Sequence, residues 1–173
     1  MPRLRRRLIT VLVAIALMAA IVYVRDVTPE GAQPAASAPA QPGDLREVVR
    51  VVDGDTLLLD RNERVRLIGV NTPESVDPRR PVERFGKEAA AFTRSLAEGK
   101  QVRLEFDHER RDTYGRTLAY VYLPDGSLLN ETIIREGYGF AYTRFPYQRM
   151  ERFRELERQA REQGRGLWAG EHR

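Results

Sequence analysis

The chain has 173 residues, enough for one compact domain and a tail, and 42% of them are hydrophobic, enough for a sizeable core. It contains no cysteine, which excludes disulfides, thiolate nucleophiles and cysteine-ligated zinc. Arg3, Arg5, Arg6 and Arg7 supply the net charge of +4, and the rest of the chain carries 25 basic and 25 acidic residues, so any basic site must be local.

Those arginines precede Leu8–Val24, about 17 residues without a charge, near the lower limit for a membrane-spanning helix. A cationic start before an apolar run keeps the N-terminus in the cytoplasm and sends the following chain across. Two readings stay open for residues 1–24: a retained single-pass anchor, or a signal peptide cleaved to release a secreted protein. Ala36–Ser37–Ala38 fits a cleavage pattern but lies far downstream of the apolar core. Both readings put the remainder outside the cytoplasm, and the first makes the membrane a partner. Residues 25–44 contain Pro29, Pro34, Pro39 and Pro42 among Ala, Gln and Ser, and read as a flexible tether. The folded domain is expected over residues 45–173, as a monomer.

Within it the pattern predicts strands at Leu45–Val52, Thr56–Leu59 and Arg64–Val70, with turns at Asp53–Gly54 and near Arg61–Asn62. A helix follows over Val82–Ala97, with Phe85, Ala89, Phe92 and Leu96 on one face and Gly99 beyond it. Strands at Val102–Phe106 and Thr117–Leu123 come next, then helices at Ser127–Glu136 and Pro146–Gln163. This order predicts a mainly β, α+β fold: a five-stranded closed barrel of the OB type with three helices.

The two histidines, His108 and His172, have no partner at metal-ligand spacing, and no GxxxxGK[ST] loop occurs. What remains is oxygen ligands and arginines. A hairpin turning near Arg61–Asn62 places Asp55 opposite Ile68, which brings Asn71 and Glu74 to the same barrel end. Carboxylate and amide oxygens gathered there suit a hard cation such as calcium. Taken alone, Asp53–Gly54 is equally a plain hairpin turn, and Thr72–Pro73–Glu74 more simply a helix or turn start. Strand alternation puts Arg66 on a face with Ile68 and Val70, where it needs either a phosphate or a neighbouring acid. Arg116 enters a strand from the loop Asp112–Gly115, where Tyr114 can stack on a base; a solvated loop arginine is the plainer reading. A cation, two arginines and a carboxylate beside a water together suit phosphodiester hydrolysis.

These residues resemble the staphylococcal nuclease (thermonuclease) family. The stretches that carry the resemblance are Val52–Asp53–Gly54–Asp55–Thr56, the run Val65 to Glu74, and Asp112 through Tyr114–Gly115–Arg116 to Tyr120. Gly86, Glu88–Ala89, Phe92–Thr93 and the ending Gly164 to Trp168 add weaker support. The resemblance spans about Leu45 to Trp168, in the family's order. It implies an OB-fold barrel with three helices and calcium-dependent (Ca2+) endonuclease hydrolysis of DNA and RNA. By position, Asp55 resembles the side-chain calcium ligand, Thr72 the residue offering a backbone carbonyl, and Glu74 the general base. Arg66 and Arg116 resemble the phosphate-binding arginines, and Tyr114 and Tyr142 fall where the family contacts the nucleotide. Asn71 stands where the family has a second calcium-binding carboxylate, with one negative charge fewer. Thr113 and Arg144 also depart, replacing a lysine and an aromatic of the nucleotide pocket. A non-catalytic nucleic-acid-binding OB module and a membrane-tethered protein-interaction domain are the competing functions.

Overall fold

The computed structural model describes residues 45–75 and 83–169. The apolar run 8–24 and the tether 25–44 lie outside the described residues, among which no helix is long and apolar enough to cross a membrane. The chain forms β1 (Leu45–Asp53), β2 (Thr56–Leu59), β3 (Glu63–Leu67) and β4 (Val70–Asn71), then α1 (Gly86–Ala97). β5 (Gln101–Glu105), β6 (Thr117–Tyr122), α2 (Leu129–Arg135), β7 (Phe140–Ala141) and α3 (Met150–Glu162) follow. The strands close in the order β1-β2-β3-β6-β5, with β5 returning to β1. Among the described residues the expected five-stranded OB barrel with three helices is the observed fold.

Closure follows from side-chain alternation. Val48 and Val51 of β1, Leu57 and Leu59 of β2, and Val65 and Leu67 of β3 all point inward and are buried. Register shifts in β1, between Val48 and Arg50 and again between Val51 and Asp53, bend that strand so that it can pair with both β2 and β5. Phe153 and Leu156 of α3 and Ile133 of α2 extend the core.

Three local expectations need correction. The β2–β3 loop has three residues, Asp60–Asn62, because Arg61 and Asn62 take left-handed φ values of 57° and 61°. Leu59 therefore pairs with Glu63, and Asp55 faces Leu67, whose N–H it accepts at 3.0 Å, rather than Ile68. Second, the predicted strand Arg64–Val70 is broken at Gly69, φ 70°. Val70–Asn71 instead forms a separate two-stranded sheet with Phe140–Ala141. The break ends the alternation that grouped Arg66 with Ile68 and Val70: those two are buried, whereas Arg66 lies outside the barrel between inward Val65 and Leu67. Third, α1 starts at Gly86 and buries small residues, Ala89, Ala90, Thr93 and Ala97, which let it lie close against β1; Phe92 and Leu96 are only partly buried.

Candidate active site

Four of the proposed site residues meet where β2 begins and β4 ends. Asp55 is 6% exposed, and its carboxylate is held from several sides. Oδ1 accepts the Thr56 hydroxyl at 2.9 Å, and Oδ2 accepts the Thr72 N–H at 3.0 Å. Oδ2 also lies 2.9 Å from Arg66 Nη2. The same nitrogen is 3.5 Å from Asn71 Oδ1, while Nη1 donates to the Val70 carbonyl at 2.8 Å. The break at Gly69 turns that carbonyl toward Arg66. Of the two partners open to Arg66 from sequence, a neighbouring acid is the one displayed.

Asp53 joins this group, although its sequence context offers only a turn. It is 7% exposed and accepts the Ser75 hydroxyl at 2.5 Å. Burial pushes its carboxyl from 3.8 up to about 6; bonds from Ser75 and the Gly54 N–H pull it down, while Asp55 and Glu74 push it further up. The Asp–Gly–Asp spacing was the available signal, since turning at Gly54 leaves both carboxylates at one mouth of the barrel. Thr93 of α1 secures that turn by donating its buried hydroxyl to the Gly54 carbonyl at 2.7 Å.

Thr72–Pro73–Glu74 is not a helix start; it is irregular chain. Glu74 is half-buried and its Oε1 accepts the Ser75 N–H at 3.1 Å. Glu83, a residue with no sequence signal for the site, holds the Glu74 backbone: Glu83 N–H donates to the Glu74 carbonyl at 2.9 Å, and Glu83 Oε2 accepts the Glu74 N–H at 3.1 Å.

Arg116 immediately precedes β6, the strand that pairs with β3. β3 and β6 run parallel with Val65 beside Thr117 and Arg66 beside Leu118. Val65 and Thr117 are buried, while Arg66 and Arg116 are each partly buried. Arg116 is no loose loop arginine: its Nε lies 2.6 Å from Asp112 Oδ2. Asp112 Oδ1 accepts the Arg116 and Tyr114 N–H groups, both at 2.9 Å. Burial raises the Asp112 carboxyl, but these bonds outweigh it and hold the group below its ordinary value. Tyr114 is 84% exposed, with the Arg116 guanidinium 5.4 Å from its ring centre. Tyr142 comes from the other side, donating its N–H to the Gly69 carbonyl at 2.9 Å. Its ring lies 6.1 Å from Phe145, an exposed aromatic that the sequence reading did not single out.

Among the described residues no three His, Cys, Asp or Glu side chains group to hold a metal by themselves. The oxygen-only donors Asp55, Asn71 and the Thr72 carbonyl nevertheless suit a hard cation completed by water and substrate oxygens. Burial is the main cause of the raised Asp53 carboxyl, and the neighbouring Asp55 and Glu74 charges add to it. Thr72 Oγ1 beside them is buried without a hydrogen-bond partner.

An OB barrel with an arginine and buried carboxylates gathered at one end defines a protein with a charged site suited to a phosphate group. The model of the family "Staphylococcal nuclease homologue" matches residues 64–170. A thermonuclease of Staphylococcus hyicus is 41% identical over 127 residues, 71% of this chain and 75% of that protein. A thermonuclease of Staphylococcus intermedius is 50% identical over 98 residues, 55% of this chain and 58% of that protein. An SPbeta prophage-derived endonuclease of Bacillus subtilis is 36% identical over 126 residues, 69% of this chain and 42% of that protein. The chain belongs to the staphylococcal nuclease family and is a phosphodiester hydrolase.

Proposed function

We propose that this protein is a calcium-dependent endonuclease that hydrolyses DNA, RNA or both outside the cytoplasm. The observation that carries this reading is the meeting of Asp55, Arg66, Asn71 and Thr72 within hydrogen-bonding reach of one another, beside Glu74. Asp55, the Asn71 amide oxygen and the Thr72 carbonyl would hold the cation, which when bound supplies positive charge to the phosphoryl oxygens. Arg66 and Arg116 receive the phosphate, while Tyr114 and Tyr142 receive the nucleotide. Glu74 takes a proton from a water; the water oxygen attacks phosphorus, and the bond to the leaving sugar oxygen breaks. The basic cluster before the apolar run supports an extracytoplasmic site, with residues 1–24 as anchor or cleaved signal.

Glu74→Gln tests the chemistry, because an amide cannot accept the water's proton. Turnover should fall about 10²–10³-fold, a loss of roughly 3–4 kcal/mol in transition-state stabilisation, with the thermal midpoint and binding of a nucleotide inhibitor retained. Arg66→Lys should lose activity as well, since an ammonium lacks the two-pronged fork. A folded Glu74→Gln protein with undiminished turnover would remove Glu74 from the chemistry, whereas a wild-type chain that binds DNA with calcium and does not cleave it would be a binding-only OB module.

A further inference from the structure

Glu74 lies in irregular chain, yet its backbone N–H and carbonyl are both taken by one residue, Glu83. The Gly86 N–H donates to the Glu83 carbonyl at 3.0 Å, tying this clamp to the first turn of α1. The approach is close: a Cβ at Gly86 would stand 2.5 Å from the Glu74 carbonyl oxygen. Between Glu83 and Gly86 the chain passes through Phe85 with φ 72°, a left-handed conformation that is unfavourable for a bulky residue. Aromatic packing offsets it. The Phe85 ring lies 5.3 Å from Tyr138, which stacks on Phe92 at 3.9 Å with planes 4° apart. The stack fixes the bend at Phe85, the bend brings Glu83 and Gly86 against Glu74, and the clamp sets where the Glu74 carboxylate begins.

We propose that Glu83 is a positioning residue for Glu74, acting by accepting the Glu74 N–H rather than by its charge. This rests on the reading of Glu74 as general base. Glu83 is exposed, so its truncation removes little packing. A displacement of about 1 Å at a catalytic group can cost on the order of 10²-fold in rate. The effect belongs in kcat, because Arg66 and Arg116, not Glu74, receive the substrate phosphate.

The test compares Glu83→Ala, Glu83→Gln and Glu74→Gln in the full-length chain, measuring kcat and KM on a DNA oligonucleotide with calcium, and the thermal midpoint. Glu83→Ala should lower kcat roughly ten- to a hundredfold, with KM and the midpoint nearly unchanged. Glu83→Gln should restore kcat, because its amide oxygen still accepts the Glu74 N–H. The proposal is overturned if Glu83→Ala keeps its kcat, if Gln is as poor as Ala, or if Glu83→Ala unfolds at the assay temperature. A loss in Glu74→Gln with none in Glu83→Ala removes the positioning role alone. An active Glu74→Gln protein removes the general-base reading, and the positioning role with it.

Discussion

At the scale of single residues, Asp53 is the most perturbed group of the site. Its carboxyl is raised from 3.8 to about 6, so between those values the folded protein holds a proton that the unfolded chain has released. Without metal, the stability contributed by this group is therefore greatest below the lower value, declines as pH rises through the window, and levels off above about 6. Asp53→Asn should flatten that decline and raise the thermal midpoint in chelator near neutral pH. It should also weaken calcium binding by removing a negative charge beside Asp55. Asn71→Asp should do the reverse, tightening calcium while lowering the midpoint in chelator. Melting curves in chelator across pH and calorimetric calcium titrations check both variants, and tighter calcium binding by Asp53→Asn would contradict the electrostatic account.

At the scale of elements, the break between β3 and β4 does more for the site than either strand. Gly69 turns the Val70 carbonyl to Arg66 and offers its own carbonyl to Tyr142. Its φ of 70° is open to glycine at little cost, and a Cβ there would stand 2.6 Å from the Tyr147 ring and 2.8 Å from Phe153. Gly69→Ala combines backbone strain with overpacking, and should lose at least about 2 kcal/mol of stability. Chemical denaturation measures this, and a loss under about 0.5 kcal/mol, the range of an ordinary surface change, would refute it. The sequence Ile68–Gly69–Val70 reads as one continuous strand because its apolar residues fit strand burial. Nothing local announces that residues 70–71 will pair with residues 140–141 instead.

For the molecule as a whole, the end of the described chain props up the site. Residues Gly166–Trp168 form a short turn in which the Leu167 N–H donates to the Gly137 carbonyl at 2.8 Å. Trp168 is 5% exposed, meets Phe140 edge-on at 5.3 Å, and lies under the Arg161 guanidinium at 4.1 Å. Phe140 pairs with Asn71, so Trp168 supports a proposed metal ligand from behind. Trp168→Ala should cost about 3–5 kcal/mol and lower calcium affinity in whatever fraction stays folded. Thermal melting with and without calcium reads both effects, and an unchanged midpoint would show that the C-terminal turn is dispensable.

The sequence by itself determined the barrel and much of its contents. Alternating apolar residues in five short stretches give each strand one face to bury, which a closed sheet does, and the helix periodicities between them set the order of elements. It also placed Asp55, Arg66, Asn71, Glu74 and Arg116 as candidates, because charged and amide groups stand out against an apolar pattern, while Thr72 entered through the family resemblance. Tertiary structure decided their relations. A three-residue loop, not a two-residue turn, set Asp55 against Leu67, since Asn62 marks a turn but nothing local marks Arg61 as left-handed. Parallel pairing of β3 with β6 set Arg66 beside Leu118 across a long stretch of intervening chain. Asp53 became a site residue only by burial, and Glu83 only by a contact nine residues along the chain from Glu74. Period and composition are local quantities, whereas desolvation, ion pairing and backbone clamping depend on which distant segments meet.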